Sequence, residues 1–196
     1  MSNRNRIRSV LAPLALALAA LAPAQAGYLV NWSTQEQQHS QWCWAATAAA
    51  ILRYHGANAS QCATVNYDFR INYACQSQPF DWNDSANRPN YLYGDANDGV
   101  DRILWNWGVS TVSYGRSLSY SEIATQIDTR GPLAVRWGWD GGGGHILAIY
   151  GYQTFDGVAH VVLADPWPGE GNSWVRHDWA VKGGGHTWTH SLTAYR

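Results

Sequence analysis

Three cysteines give the sequence its first chemical signal. Cys43, Cys62 and Cys75 leave at least one thiol unpaired, because three cysteines cannot all form disulfides within one chain. A Cys62–Cys75 bridge would close a loop of about 14 residues and leave Cys43 free, although the other pairings stay open. A free thiol is a liability in an oxidising compartment unless a reaction needs it. Cys43 is therefore the candidate nucleophile, with Cys62 and Cys75 as the expected disulfide.

The same three cysteines argue against a metal site. No two of them have zinc-finger spacing, and no pair of histidines lies beside them in the sequence. We therefore expect no bound metal and no cofactor.

The element expected to carry Cys43 is a helix. Residues 42–54, WCWAATAAAILRY, are rich in strong helix formers, and Gly56 is a typical residue just beyond a helix C-terminus. Ser40 is the predicted N-cap, which puts Cys43 in the first turn. There the helix dipole and the unpaired backbone N–H groups favour a negatively charged thiolate.

A thiolate nucleophile also needs an imidazole from elsewhere in the fold. His145 opens the apolar segment HILAIYGY directly after four glycines, where a substrate has access to the ring. His160, inside the apolar run VAHVVLAD, is the alternative base, although such a position is typical of a packed strand residue. The remaining histidines are expected to face away from Cys43, to lie at the far end of its helix, or to occupy solvated and edge positions: His39, His55, His177, His186 and His190.

The second ring nitrogen of this imidazole needs an acceptor that fixes its tautomer and orientation. Asp165 ends the predicted strand that follows the strand of His145. If the two strands form an antiparallel hairpin through Asp156-Gly157, the two side chains lie side by side. Trp167 would then cover their contact and exclude water. The alternative is that residues 165–167, DPW, form only a turn.

A tetrahedral intermediate at Cys43 needs hydrogen-bond donors for its oxyanion. The backbone N–H of Cys43 supplies one. Gln37, six residues earlier, supplies the other if the chain folds back across the start of the helix. By chemistry alone the neighbouring glutamines compete for this role, namely Gln35, Gln38 and Gln41.

The elements that position these residues change in kind along the chain. Helices are predicted over 98–107 and after Ser119, whose spacing to Glu122 fits a capping box. Strands are predicted next, over residues 133–139, 145–152, 158–165 and 185–195. Residues 57–97 are expected to form loops. This order predicts an α+β fold, with an N-terminal helical half packed on a C-terminal antiparallel sheet.

The N-terminal 26 residues predict an export signal. Three arginines precede an apolar stretch that is too short and broken for a membrane span, and Ala24-Gln25-Ala26 fits the cleavage pattern. We expect a signal peptide over 1–26, one domain over 27–196, and a secreted protein in the periplasm or outside the cell. A retained N-terminal anchor helix is the alternative.

Charge excludes another class of function. Without the signal, 13 basic residues become 10 against 14 acidic ones, a formal charge of −4. No clustered basic face is evident, so we expect no nucleic-acid partner.

The chemical residues lie in segments that resemble papain-like cysteine peptidases. QQHSQWCWAA is similar to the family's active-site segment, in which a Gln six residues before the nucleophile completes the oxyanion hole and a Trp follows the Cys. By this resemblance Gln37, Cys43 and Trp44 take those places, and Trp44 supports the site.

Two later segments extend the resemblance across both halves of the mature chain. GGHILAIYGY is similar to the strand that begins with the family's catalytic His and reaches a Gly-Tyr pair, which implies that His145 is the base. DPW resembles the orienting Asn or Asp followed by a Trp, which implies these roles for Asp165 and Trp167. No cysteine precedes the nucleophile as in papain, and the third residue is Asp rather than Asn, as in compact bacterial relatives.

The resemblance implies a secreted thiol protease that hydrolyses peptide bonds through a Cys-His-Asp triad and a thioester acyl-enzyme. The alternatives are a thiol amidase acting on cell wall or glutamine side chains, and a Trp-rich carbohydrate-binding module. We expect a protein or peptide substrate, a monomer, and no membrane contact after signal cleavage. Only 16 residues separate the expected cleavage site from Cys43, so we expect restraint by a separate inhibitor or immunity protein rather than by an N-terminal pro-domain.

Overall fold

The computed structural model describes residues 26–76, 80–81, 83–94 and 98–196. The predicted signal peptide lies outside the described residues except for Ala26. Within those ranges, no helix combines the length and apolar character needed to cross a membrane.

Five helices and eight strands form the described part of the chain. The helices are α1 (Cys43–Tyr54), α2 (Gln61–Phe69), α3 (Val100–Asn106), α4 (Tyr120–Thr129) and α5 (His177–Val181). The strands are β1 (Ala26–Tyr28), β2 (Ser110–Tyr114), β3 (Leu133–Trp139), β4 (Gly144–Phe155), β5 (Val158–Asp165), β6 (Gly171–Arg176), β7 (Lys182–Gly183) and β8 (His186–Tyr195).

All strands join one antiparallel sheet in the order β2-β8-β3-β4-β5-β6, with β1 added to β4 and β7 added to β8. The helices α1 to α3 precede most of this sheet in the chain, as the α+β prediction requires. The predicted fold class, a helical N-terminal half on a C-terminal antiparallel sheet, is confirmed.

The sheet separates two apolar cores. On one face, Ala134 of β3 and Ile146 of β4 pack with the buried side of α1. On the other face, Val135 and Leu147 from the same two strands pack with α4. Alternate residues of each strand therefore serve opposite cores, which is the two-residue repeat expected of a strand buried on both sides.

Helix α1 starts one residue later than predicted, and its N-cap is Trp42 rather than Ser40. The Ser40 prediction is wrong because its hydroxyl accepts a hydrogen bond from Asn87 Nδ2 at 3.0 Å instead of capping the helix. The end of the helix is as predicted, since Gly56 has the positive φ of 78° that favours glycine after a helix.

The expectation of loops over 57–97 is wrong for α2. Ser60 caps this helix by accepting the N–H of Ala63 at 3.2 Å. Its buried side includes Gln61 and Asp68, so the hydrophobic repeat by which a sequence reveals a helix is weak here. Short strands β1, β2, β6 and β7 and helix α5 were also absent from the prediction.

A disulfide joins Cys62 to Cys75 and leaves Cys43 as a free thiol. The bridge ties α2 to the segment that follows it. The pairing is the one expected from the sequence.

Candidate active site

Helix α1 presents Cys43 as its first residue, where backbone N–H groups lack partners within the helix. The helix is anchored to the sheet one turn later, because Thr47 donates its hydroxyl to the carbonyl oxygen of Ile146 at 3.2 Å. Ile146 follows His145 in β4. This hydrogen bond therefore fixes the start of α1 beside the strand that carries the imidazole.

The hairpin predicted between β4 and β5 is present. Its strands pair with Ala148 opposite Ala164, and Asp156 and Gly157 both take positive φ in the connecting turn. At the open end of the hairpin, on the side of this pair away from the turn, His145 of β4 lies diagonally across from Asp165 of β5. His145 Nε2 lies 2.7 Å from Asp165 Oδ1.

Asp165 accepts a second hydrogen bond besides its contact with the imidazole. Its Oδ1 also accepts the backbone N–H of Trp167 at 2.8 Å, which closes a tight turn immediately after β5. Two hydrogen bonds to the same oxygen therefore hold the carboxylate in place. Since Nε2 of His145 is committed to Asp165, Nδ1 is the ring nitrogen left for Cys43.

The environment of His145 favours its charged form. Only 5% of the residue is exposed, and this burial lowers its pKa. The hydrogen bonds to Asp165 and Cys43, together with the electrostatic interactions with both residues, outweigh burial and raise the pKa of His145 to about 10. A raised pKa of this kind favours the imidazolium form of His145 at neutral pH.

Three tryptophans surround the imidazole and limit its access to water. The ring of Trp139 stacks nearly parallel at 6.2 Å, and that of Trp137 lies tilted at 6.5 Å. Trp167 meets His145 edge-on at 6.2 Å but is 51% exposed, so it covers the His145–Asp165 contact only in part. A low-dielectric enclosure strengthens the interactions between charges inside it.

Gln37 reaches this site through its backbone and its side chain. Its N–H donates to Pro166 O at 2.8 Å, which joins the N-terminal segment to the turn after Asp165. Its Nε2 donates to the carbonyl oxygens of His39 at 3.0 Å and Ser40 at 2.9 Å. Oε1 is buried without a hydrogen-bond partner among the described residues. One of the two Nε2 contacts must be released before the amide can donate to an oxyanion.

Trp44 does not lie in the site. It is fully buried in the core beside Phe69, and its Nε1 donates to the carbonyl of Arg88 at 3.1 Å. Trp44 therefore anchors α1 in the core that this helix shares with Phe69.

The residues brought together line a cavity of about 510 Å³ that opens at Cys43. Gln37, Cys43, His145, Asp165 and Trp167 all border it. Trp137, Trp139 and Glu170 also line it, although no site role was expected for them from the sequence. The alternation WGW directly before the glycine loop is the signal that places the two tryptophans there.

The other histidines take positions apart from Cys43. His160 Nδ1 lies 2.9 Å from its neighbouring carbonyl Val158 O, and its ring packs against Phe155. The solvated or edge position expected for His186 is wrong, because this ring is buried and stacks on Trp137 at 3.8 Å. The prediction failed because the rings that cover His186 come from Trp137 and Trp139 of β3 and from Trp179 of α5, and spacing along the sequence does not reveal these contacts.

Comparison with known proteins places the chain in a protease family. Residues 25–177 match the family model described as papain-like cysteine protease AvrRpt2. No curated protein matches the chain in sequence. The peptidase domain of Streptococcus ComA, a bifunctional ABC transporter involved in quorum sensing, is similar in fold: the TM-score is 0.55 and the identity 16%, over 84% of this chain and 98% of that domain.

Two further structures are more distant. A double glycine motif protease from an AMS/PCAT transporter, solved with its leader peptide, has a TM-score of 0.48 and 14% identity over 87% of this chain and 91% of that one. A digestive procathepsin L 3 of Tenebrio molitor larval midgut has a TM-score of 0.47 and 14% identity over 83% of this chain and 66% of that one.

Proposed function

Because the chain belongs to the papain-like cysteine protease family of AvrRpt2, and is thus a cysteine-type peptidase, we propose that Cys43, His145 and Asp165 form its catalytic triad. The observation that carries the proposal is the position of His145. Its Nε2 contacts Asp165 Oδ1 at 2.7 Å, while the ring also interacts with Cys43 at the start of α1.

The first half of the reaction uses an ion pair between the Cys43 thiolate and the His145 imidazolium. The Cys43 thiolate attacks the carbonyl carbon of the scissile peptide, and the carbonyl oxygen becomes an oxyanion. The backbone N–H of Cys43 and the amide of Gln37 stabilise this charge. The imidazolium of His145 donates its proton to the leaving amine, the C–N bond breaks, and the acyl group remains on sulfur as a thioester.

The second half regenerates the enzyme. Neutral His145 takes a proton from water, and the resulting hydroxide attacks the thioester carbonyl. The C–S bond breaks, the acid product leaves, and Cys43 returns as a thiolate beside the imidazolium. Throughout, Asp165 keeps the ring oriented and stabilises its positive charge.

We further propose that the protein is exported to the periplasm or the exterior. The signal-like N-terminus supports this, and so does the Cys62–Cys75 disulfide, which persists in oxidising compartments. The mass of the protein recovered outside the cytoplasm tests it. A mature chain beginning at Gly27 is the expected result, and an uncut cytoplasmic chain would overturn it.

A thiol-directed label tests the proposed nucleophile. Since Cys62 and Cys75 are joined, iodoacetamide has one free cysteine to modify in the folded protein. We expect the label to abolish casein hydrolysis by the wild type and Cys43→Ala to remove both labelling and hydrolysis. Persistent casein cleavage by Cys43→Ala would refute the role of Cys43. Cleavage of purified cell wall but not casein would instead favour the amidase alternative.

A further inference from the structure

A second cavity also opens at Cys43. It has a volume of about 220 Å³, enough for one side chain rather than an extended segment. Pro89, Tyr91, Arg136 and Ile146 line it, whereas none of these borders the larger cavity that contains His145. Cys43 therefore stands between two cavities of different composition.

Arg136 gives this second cavity its chemical character. It is the one charged residue of β3, whose sequence is LAVRWGW. Along that strand Arg136 lies on the same face as Ala134, which packs in the core beside α1, whereas Val135 and Trp137 belong to the opposite core. Arg136 therefore points to the α1 face of the sheet, where Cys43 lies.

Among the described residues, the Arg136 guanidinium is held by hydrogen bonds to neutral groups and not by a carboxylate. Nη1 donates to Thr189 Oγ1 at 3.0 Å and Nη2 to the carbonyl of Gly143 at 2.9 Å. A Cβ at Gly144 would lie 2.7 Å from Nη2, so the backbone beside His145 packs directly on the guanidinium. In the described part of the chain no carboxylate forms a salt bridge with Arg136. A guanidinium has five N–H donors, so these two hydrogen bonds leave others unpaired, and Arg136 lines the cavity.

The chemistry at Cys43 decides which part of a substrate reaches Arg136. The leaving amine takes its proton from His145, so the segment that departs first lies in the cavity that His145 borders. The acyl segment stays bonded to the sulfur of Cys43. The second cavity is bordered by Cys43 but not by His145, so it offers the acyl segment a place to extend.

We propose that Arg136 selects substrates with an Asp or Glu side chain on the N-terminal side of the scissile bond. This rests on the proposed peptidase function and names its substrate class. A carboxylate in the cavity can form charge-assisted hydrogen bonds with the unpaired N–H groups of a guanidinium that is already fixed. A side-chain amide accepts only with an uncharged oxygen, which makes a weaker hydrogen bond, and a basic side chain is repelled by the guanidinium.

The first test is a pooled peptide library cut by the mature enzyme, with cleavage sites identified by mass spectrometry. We expect Asp and Glu to be enriched within the last few residues of the N-terminal products. A matched peptide pair, identical except for Glu or Gln at the enriched position, then gives the selectivity as a ratio of kcat/KM values. We expect the wild type to prefer Glu by about 10-fold or more.

Variants at Arg136 separate selection from folding. Arg136→Gln is expected to bring the Glu-to-Gln ratio close to 1, and Arg136→Glu to shift the preference to Lys at the same position. Arg53→Gln is the matched control, because this exposed arginine lies near the far end of α1, about 15 Å along the helix from Cys43. Its ratio should equal that of the wild type.

Two results would overturn the inference. One is a wild-type library profile without acidic enrichment on the N-terminal side. The other is an equal loss of activity toward both peptides in Arg136→Gln, with the ratio unchanged, since a merely structural arginine acts on all substrates alike. Failure of the proposed function looks different: the wild type would cut no peptide, or Cys43→Ala would still cut.

Discussion

Replacing Asp165 by Asn separates the charge of this residue from its geometry. Asp165 Oδ1 accepts both the His145 Nε2 contact at 2.7 Å and the Trp167 N–H at 2.8 Å. A side-chain amide with its oxygen in this position keeps both hydrogen bonds. The variant therefore removes the negative charge while it leaves the imidazole oriented.

The size of the effect follows from the pKa of His145, which is raised from 6.5 to about 10. Two unit charges about 4 Å apart interact by about 4 kcal/mol at an effective dielectric constant of about 20, which corresponds to a pKa change of about 3. The interaction with Cys43 still raises the pKa of His145 in the variant, so part of the total elevation is kept. We expect the pKa of His145 in Asp165→Asn to fall by about 1 to 3.

The assay is the pH dependence of kcat/KM with a peptide substrate. Activity requires the imidazolium, so it is lost as pH rises through the pKa of His145. The alkaline limb of the wild type should lie near pH 10, and that of Asp165→Asn lower by 1 to 3 pH units, with activity at pH 6 largely kept. Asp165→Ala also removes the acceptor, and we expect a loss of at least about 10²-fold at every pH because the ring is no longer oriented.

Two outcomes would refute this reasoning. An unchanged alkaline limb in Asp165→Asn would mean that the carboxylate charge does not stabilise the imidazolium. Equal losses in the Asn and Ala variants at pH 6 would mean that an acceptor in this position is not what orients the ring.

Three further changes test other parts of the account. Gln37→Ala should lower kcat by about 10² to 10³-fold while alkylation of Cys43 keeps its rate, and a near-normal kcat would exclude Gln37 as an oxyanion donor. Replacing both Cys62 and Cys75 by Ala should lower the free energy of unfolding in guanidinium by about 3 kcal/mol, and an unchanged value would show that the bridge does not constrain the unfolded chain. Gly151→Ala should cost about 1 to 3 kcal/mol in thermal unfolding, because its Cβ would lie 2.5 Å from Tyr28 Cβ; an unaltered Tm would contradict the close packing of β1 on β4.

The elements predicted correctly are those with local signals. Ser119 and Glu122 form the capping box that their spacing indicates, and α4 begins where it predicts. The turn at Asp156-Gly157 likewise determines the β4–β5 hairpin, and the hairpin brings His145 to Asp165. Local signals of this kind are sufficient when the residues concerned are joined by one turn.

The features that the sequence did not reveal depend on contacts between distant segments. Helix α2 buries Gln61, which donates to Glu36 O at 2.8 Å, and such a polar buried side lacks the hydrophobic repeat of an ordinary helix. The cavity at Arg136 combines residues near 90 with residues of β3 and β4. Neither set of partners can be deduced from spacing along one chain.

The proposed triad requires an ion pair between Cys43 and His145 across the cleft. The pH dependence of Cys43 alkylation by iodoacetamide in the mature protein tests this ion pair most directly. Alkylation of the wild type at pH 6 should then be at least about 10-fold faster than that of His145→Ala, with a second change in rate near pH 10 where His145 loses its proton. His160→Ala, which removes an imidazole apart from Cys43, should react like the wild type. Equal rates for the wild type and His145→Ala at pH 6 would contradict the claim.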